Sequence, residues 1–249
     1  MTFSILHRAA LLLVLAAPIF PSPAFAAEAP KADPAAFALL KTAHDARQVL
    51  PDDFPGFTAT LTLQAGGKIY PGTVSFEKGK TAEVKFEGVP IDDLDWAVDQ
   101  VQSTIGHRRG GDFAKGDGRW PLTFGTGPDA ENSFGRQILL NDMMQSAYRV
   151  RDGQVTEVTR TADNLRFTIS VIQSQKAGDG KYLPQHFIVS YRDAKSGDLK
   201  EVQAFRDAYA QRGAAWLPVS RTVIFFEAKS DTPSMRSIGF GDVKLLAKP

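Results

Sequence analysis

The stretch "GFTATLTLQAGGKIYPGTVSFEKG", residues 56–79, is the most regular part of the chain and shows its fold class most directly. Apolar side chains alternate with threonines from Phe57 to Leu63, and the alternation resumes from Tyr70 to Phe76 after the Gly66-Gly67 pair. Strict alternation is typical of a strand with one buried face, and glycines between two such runs are typical of a hairpin turn. The stretch therefore predicts a two-stranded hairpin, and it raises the question of what its apolar face contacts.

Short alternating or apolar runs separated by turn signals fill most of the remaining chain. We predict strands at 81–87, 119–125, 135–140, 147–152, 154–161, 165–174, 182–192, 198–209, 215–228 and 235–247. Turns such as Asp152-Gly153 and Ser196-Gly197-Asp198 are too short for the crossovers that parallel strands require, so we expect an antiparallel sheet. Gly239 and Gly241 lie within the last strand, which indicates bending or a close approach of another segment.

Two helices are predicted. Asp33-Pro34 is typical of an N-cap followed by proline at the first helical position, and we expect Pro51 to end this helix. The second helix, 91–108, carries one apolar stripe, formed by Ile91, Leu94, Val98, Val101 and Ile105. The predicted fold is α+β: a curved antiparallel sheet, a half barrel of about ten to twelve strands, with an N-terminal helix and a lid helix.

The first residues have the pattern of a secretory signal peptide, residues 1–26. His7 and Arg8 precede an apolar run, and Ala24-Phe25-Ala26 fits the rule for cleavage between Ala26 and Ala27. The apolar run is shorter than the roughly 20 residues of a membrane span, so we expect no transmembrane anchor after cleavage. We predict a linker at 27–33, a single domain at 34–249, and export to the periplasm or an equivalent compartment.

Composition excludes several classes of function. Loss of Arg8 with the signal peptide leaves 28 of the 29 basic residues against 28 acidic ones. A neutral chain has no overall field that attracts nucleic acid, so we expect no such partner. The chain has no cysteine, which excludes thiolate nucleophiles and cysteine-bound metal sites, and we expect no cofactor.

Catalytic and metal-binding patterns are weak in this sequence. It has no Gly-x-Ser-x-Gly nucleophile elbow. His44, His107 and His186 lack the spacing of a metal site, although the fold could still bring them together. An acidic group, Asp92, Asp93 and Asp95, could bind a cation, but its place at a helix start explains it more simply. We predict that the protein is not an enzyme and holds no metal.

The loop "GGDFAKGDG", 110–118, looks like a phosphate-binding loop at first. It lacks the Gly-Lys-Ser/Thr ending and does not lead into a helix, so we interpret it as a mobile hinge loop. A small basic cluster surrounds it, formed by His107, Arg108, Arg109, Lys115 and Arg119. Arg108 and Arg109 are hypothetical contacts to a lipid head group or carboxylate. The alternative is ordinary solvated surface charge.

The apolar faces carry the main functional signal. Small inward residues, Ala59, Gly72 and Ala82, would leave volume that larger side chains line. Burial of an acyl chain yields about 0.8 kcal/mol per methylene, so a lipid can bind without a polar motif. The predicted ligand-binding residues are Phe57, Leu61, Val74, Phe76, Phe86, Ile91, Leu94, Trp96 and Val98. The alternative is that the helices fill this volume as ordinary core.

Four segments resemble a known family: "FPGFTATLTL" (54–63), "YRVRDGQVTEVTR" (148–160), "YLPQHFIVSY" (182–191) and "FRDAYAQRGAAWLPVSR" (205–221). They resemble the domain-of-unknown-function 3386 family, and the resemblance extends over most of the chain after the signal peptide. It implies no particular activity and transfers no catalytic residues. The layout is also similar to the periplasmic lipoprotein-carrier half-barrel fold, which is a similarity of architecture alone.

These observations predict an exported, non-catalytic binding protein for a hydrophobic, lipid-like ligand, held between the concave sheet and the lid helix 91–108. The alternative is a periplasmic protein-interaction or assembly accessory module. In that case an exposed edge strand or Trp216-Leu217-Pro218 would dock a partner. A large exposed apolar patch outside the concavity would favour the alternative.

Overall fold

The computed structural model describes residues 31–230 and 232–247, and in these residues it contains two helices and thirteen strands. The predicted signal peptide and its cleavage site between Ala26 and Ala27 lie outside the described residues. The helices are α1 (Pro34–Asp45) and α2 (Ile91–Gly106). The strands are β1 (Gly56–Ala65), β2 (Lys68–Glu77), β3 (Glu83–Phe86), β4 (Thr123–Phe124), β5 (Glu131–Asn132), β6 (Gly135–Leu139), β7 (Ala147–Arg151), β8 (Gln154–Ala162), β9 (Leu165–Lys176), β10 (Tyr182–Asp193), β11 (Leu199–Arg212), β12 (Ala215–Glu227) and β13 (Ser234–Leu245).

These strands form one open antiparallel sheet. Their order is β3-β2-β1-β13-β12-β11-β10-β9-β8-β7-β6-β4, and β5 pairs with β6. Register shifts interrupt the pairing of β1, β7, β10 and β11, and such bulges bend a sheet. The α+β class with a large antiparallel sheet is confirmed. The thirteenth strand exceeds the expected ten to twelve because β5 is a pair of residues, too short to show alternation.

The hairpin of residues 56–79 forms as its alternation predicts. Phe57 lies opposite Phe76, Ala59 opposite Val74 and Leu61 opposite Gly72, so apolar residues share one face. The threonines between them point to the other face, where they are half-buried or exposed. The hairpin is held in the sheet by β13, which pairs with β1 along its free side.

The concave face carries two separate hydrophobic clusters, one under each helix. The larger cluster packs Trp96, Val101 and Ile105 of α2 against β1, β2 and the strands β10 to β13. The smaller cluster packs Ala36, Leu40 and Ala43 of α1 against β6 and β7. The apolar face of the first hairpin therefore contacts α2 in this conformation.

Two details of the helices differ from the sequence-based expectation. Helix α1 ends at Asp45, before Pro51, because the next residues turn to meet β10: Gln48 N donates to Tyr182 O at 2.8 Å. In α2 the buried face is formed by Trp96, Ala97, Val101, Thr104 and Ile105. Val101 and Ile105 of the predicted stripe are buried, but Ile91 is exposed, since the first turns of the helix pack through the large Trp96 ring.

Gly72 does not leave the open volume that its small size suggested. A Cβ atom at this position would lie 2.4 Å from the Phe86 ring and 2.5 Å from Lys85 O. The glycine is therefore required for the close approach of β3 to β2. Phe86 fills the space that was expected to be available to a ligand.

Candidate functional site

The predicted ligand-binding wall lies beneath α2. Phe57, Leu61, Val74 and Phe76 are each 1 to 2% exposed and belong to the cluster that α2 covers. Trp96 is also buried, Phe86, Leu94 and Val98 are half-buried, and Ile91 is 66% exposed. These residues remain ligand-binding predictions, and a ligand would reach the wall only if α2 moved.

Helix α2 is attached to the sheet near its N-terminus by a small group of contacts. Arg236 Nη2 lies 2.8 Å from Asp93 Oδ1, and the Arg236 guanidinium stacks 5.2 Å from the Trp96 ring centre and 5.1 Å from that of Phe225. Trp96 and Phe225 pack edge to face at 5.8 Å. Further along, Gln102 Nε2 donates to Ala82 O at 3.1 Å.

A half-buried apolar strip lies on the concave face between the two helices. It is formed by Phe167 and Ile169 of β9 and by Phe187 and Tyr191 of β10, and we call it the inner groove. These side chains pack against the cluster beneath α2 and keep part of their surface accessible. Sequence reasoning missed this strip because β9 and β10 are apolar in part on both faces.

A buried ion pair lies next to the inner groove. Arg221 donates from Nε to Asp207 Oδ1 at 2.8 Å and from Nη2 to Asp207 Oδ2 at 2.6 Å. Arg221 Nη1 reaches Gln100 Oε1 of α2 at 2.9 Å, and Tyr209 donates to Asp207 at 3.0 Å. Burial opposes the charge of Arg221, yet Asp207 outweighs it and raises the Arg221 pKa.

We call the concave face between α1 and α2 the cleft. Arg108 follows α2, and its guanidinium is the charged group in the described part of the cleft with the fewest hydrogen bonds. It is 5% exposed, and its Nε donates to Gln48 O at 3.1 Å. Its Nη1 and Nη2 atoms are buried and have no hydrogen-bond partner among the described residues. The guanidinium stacks 5.0 Å from the Tyr209 ring centre. Burial lowers the pKa of Arg108 and raises that of Tyr209.

A second polar group stands on the α1 side of the cleft. Tyr148 donates to Asp117 Oδ2 at 2.9 Å, and Arg160 Nη2 contacts both the Tyr148 hydroxyl and Asp117 Oδ1, the latter at 3.5 Å. Arg160 Nε is buried without a hydrogen-bond partner among the described residues. Burial raises the pKa of Tyr148, which stays protonated at neutral pH.

His107 directly follows α2, and charges from both polar groups act on its pKa. Desolvation lowers its pKa, and the positive charges of Arg221, Arg47 and Arg160 lower it further, against the opposing charge of Asp207. Its side chain nevertheless has exposed surface, and Nδ1 lies 3.3 Å from Ser103 Oγ. Because residue 107 is exposed at the end of α2, it is within reach of a ligand.

The basic cluster predicted around residues 107–119 does not form one patch. Arg108 is buried at Tyr209, whereas Arg109 points toward β2 and β3, where it stacks over Phe76 and donates to Lys80 O. Arg119 stacks over Trp120, and Lys115 lies 4.0 Å from Asp112. The glycine-rich loop is anchored rather than loose, because Phe113 is buried 5.1 Å from the Phe37 ring of α1.

Within residues 31–230 and 232–247, no group of three or more histidine, cysteine, aspartate or glutamate side chains could hold a metal ion. His44 instead packs beside Phe113, and its Nδ1 lies 3.1 Å from Asp45. None of the helices in this part of the chain is long and apolar enough to cross a membrane.

Two features lie on the outer, convex side of the sheet. A groove of about 430 Å³ is lined mostly by polar residues of β1, β2, β3 and β13, among them Thr58, Thr60 and Asp242. An apolar row crosses four strands in register, Ile188, Ala204, Ile224 and Met235. Ile188 is 38% exposed and Met235 51% exposed, so the row faces solvent.

The fold and the cleft define an open antiparallel half barrel with two helices on its concave face. Residues 31–246 match the family described as protein of unknown function DUF3386, so the chain belongs to that family, as the four quoted segments predicted. No curated protein sequence matches the chain.

Three solved structures are similar in layout. A domain named for outer membrane lipoprotein sorting, from Vibrio parahaemolyticus, aligns over 86% of this chain and 93% of its own, with 8% identity and a TM-score of 0.36. A DUF1329 family protein from Desulfovibrio piger aligns over 87% and 94%, with 10% identity and a TM-score of 0.27. A chain of the Pseudomonas aeruginosa MucA/MucB complex aligns over 86% and 99%, with 10% identity and a TM-score of 0.18. Similarity at this level carries no conclusion about ligand or partner.

Proposed function

We propose that this protein is an exported, non-catalytic binding protein for a hydrophobic, lipid-like ligand. The observation that carries the proposal is the inner groove, where Phe167, Ile169, Phe187 and Tyr191 stay half-buried on the concave face. The groove adjoins the cluster under α2, so an apolar chain lying in it would extend toward Phe57 and Leu61 once the lid helix lifts. The predicted signal peptide supports export to the periplasm or an equivalent compartment.

The polar groups of the cleft support binding rather than catalysis. Asp117 and Asp207 each contact an arginine, and Tyr148 and Tyr209 each donate to one of these carboxylates. Fixed ion pairs hold charge in place and are poor proton carriers. The arrangement therefore fits recognition of a ligand, with no cofactor.

The test is native mass spectrometry of residues 27–249 purified from the export compartment, followed by uptake of added tetradecanoate. We expect a stoichiometric apolar molecule in the native spectrum. Ile169→Asn should weaken uptake about tenfold or more, because it places an amide in the groove. Ile172→Asn is the matched control, since Ile172 lies on the same strand and is 58% exposed. A clean apo mass with no uptake would overturn the proposal.

The outer apolar row favours a second candidate, a protein-interaction or accessory module. Ile188, Ala204, Ile224 and Met235 follow one another across four strands of the convex face, and Phe226 is 46% exposed nearby. Apolar surface of this kind outside a core is typical of protein contacts. If the purified protein carries no apolar molecule but retains a stoichiometric protein that Met235→Lys releases, this second function replaces the first.

A further inference from the structure

Arg108 is a buried cation whose terminal nitrogens lack a partner. Its Nε atom is satisfied by Gln48 O, but Nη1 and Nη2 reach no acceptor in the described part of the chain. The Tyr209 ring faces the guanidinium at 5.0 Å and its hydroxyl also favours the charged form of Arg108, although neither Nη atom reaches good hydrogen-bonding geometry with it. A buried guanidinium with unpaired N–H groups costs folding free energy unless an acceptor approaches it.

The charges around Arg108 are also unbalanced. In addition to desolvation, the positive charges of Arg221, Arg47 and Arg160 lower the pKa of the neighbouring His107, and the charge of Asp207 opposes them. Asp207 is already engaged by both donors of Arg221 and by Tyr209. Asp117 is engaged in the same way by Tyr148 and Arg160. The cleft therefore holds excess positive charge in a partly desolvated place, where attraction of an anion is strong.

The positive region borders the inner groove at two points. The Arg221 guanidinium lies 5.3 Å from the Phe205 ring centre and 5.8 Å from that of Phe187. On the other side, Arg160 of β8 is the register partner of Phe167 of β9. An anion bound beside His107 would therefore have apolar wall directly next to it.

From these contacts we infer that the cleft contains a recognition site for one anionic head group, a carboxylate or a phosphate, centred on the unpaired Nη atoms of Arg108, with His107 beside it in the chain. The site selects anionic amphiphiles over neutral ones, with the apolar chain in the inner groove. This inference rests on the proposed function and adds the chemical class of its ligand. Of the two head-group contacts predicted from the sequence, the site uses Arg108, whereas Arg109 stacks over Phe76 and donates to Lys80 O.

The test compares binding of tetradecanoate, 1-tetradecanol and inorganic phosphate to the protein of residues 27–249. A hydrogen-bonded charge pair contributes about 1.5–3 kcal/mol, so we expect tetradecanoate to bind at least about tenfold more tightly than the alcohol. Arg108→Met should remove most of this preference while leaving binding of the alcohol unchanged. Arg192→Met is the matched control, because Arg192 is exposed and donates to Gly197 O at the end of β10.

Two further readouts separate recognition from a structural role. Ligand-free Arg108→Met should melt at or above the temperature of the unsubstituted protein, because the unpaired buried charge is gone. In the unsubstituted protein, tetradecanoate should raise the pKa of the His107 imidazole in a nuclear magnetic resonance titration, since a nearby anion offsets Arg221, Arg47 and Arg160. The alcohol should leave that pKa where it is.

The possible failures are distinguishable. Equal binding of acid and alcohol, unaffected by Arg108→Met, would overturn the inference and leave the proposed function standing. Binding of neither amphiphile would overturn both. Binding of inorganic phosphate with a response of His107, but of neither amphiphile, would overturn both as stated and leave a site for a small anion.

Discussion

Individual buried charged residues make part of the concave face polar. Asp207 and Arg221 are 1% and 5% exposed, and they lie opposite each other on β11 and β12 at positions where the alternation calls for apolar side chains. Burial of two ions is compensated only by close geometry and complete hydrogen bonding. The pair has both, since Arg221 makes two bonds to Asp207 and a third to Gln100.

Asp207→Asn should destabilise the protein by about 3–5 kcal/mol, because it leaves Arg221 buried next to Arg108 without a compensating charge. The measurement is the free energy of unfolding in urea. Adding Arg221→Met to this variant should recover a large part of the loss, since the stranded charge is then removed. Asp45→Asn is the control: this carboxylate is exposed and pairs with Lys41, so about 0–1 kcal/mol is expected. A loss at Asp207 no larger than at Asp45 would contradict the view of a tightly coupled pair.

Among the elements, α2 is held differently at its two ends. Its C-terminal end continues into buried Arg108, whose carbonyl accepts from Leu50 N at 2.7 Å. Its N-terminal end has no side-chain cap and is fastened by the Asp93–Arg236 pair, whose side chains are 19% and 21% exposed, and by Trp96. An ion pair that water still reaches holds an element less firmly than a backbone hydrogen bond beside a fully buried side chain. The N-terminal end is therefore the part of α2 that we expect to lift.

A cross-link at this end tests whether the lid must open. The chain has no cysteine, so Asp93→Cys and Arg236→Cys introduce a unique pair for a short bismaleimide. We expect the bridged variant to take up tetradecanoate about tenfold or more slowly, because the chain can no longer pass beneath α2. The same double variant without reagent, and each single variant with reagent, are the controls. Unchanged uptake after bridging would mean that the ligand lies in the inner groove alone.

The whole molecule is one sheet that joins two hydrophobic clusters. The cluster under α1 rests on β6 and β7, and the cluster under α2 on β1, β2 and the strands from β10 to β13. Strands β8 and β9 lie between the two clusters: β8 pairs with β7 and β9, and β9 pairs with β10 on its other side. Because the ladder runs without a break from β7 through β8 and β9 to β10, neither cluster can lose its strands without disturbing the pairing of the other.

Leu40→Ala tests this coupling from the α1 side. Leu40 is 1% exposed, and such a truncation costs about 2–5 kcal/mol through lost burial and the cavity left behind. We expect hydrogen exchange to accelerate in β1 and β2 as well as in β6 and β7, since the sheet unfolds as one unit. Leu40→Met keeps most of the volume and should cost less than about 1.5 kcal/mol. Acceleration confined to β4 through β8 would show two independent units instead.

Local patterns were sufficient for most of the architecture. The alternation of residues 56–79, the turn at Asp152-Gly153 and the cap at Asp33-Pro34 each act through neighbours along the chain, so each predicts its element without the rest of the fold. The quoted segments also identified the family, which the match over residues 31–246 confirms.

The cleft depended on contacts between residues far apart in the chain. Asp207 and Tyr209 follow Phe205 at alternate positions, so a charge on an inward strand face was visible, but its partners Arg221 and Gln100 come from β12 and α2. Arg108 and Arg109 are neighbours in sequence, yet one is buried at Tyr209 and the other lies over Phe76. Side-chain direction at the end of a helix is set by the surface that the helix packs on, and that surface exists only after the sheet has formed.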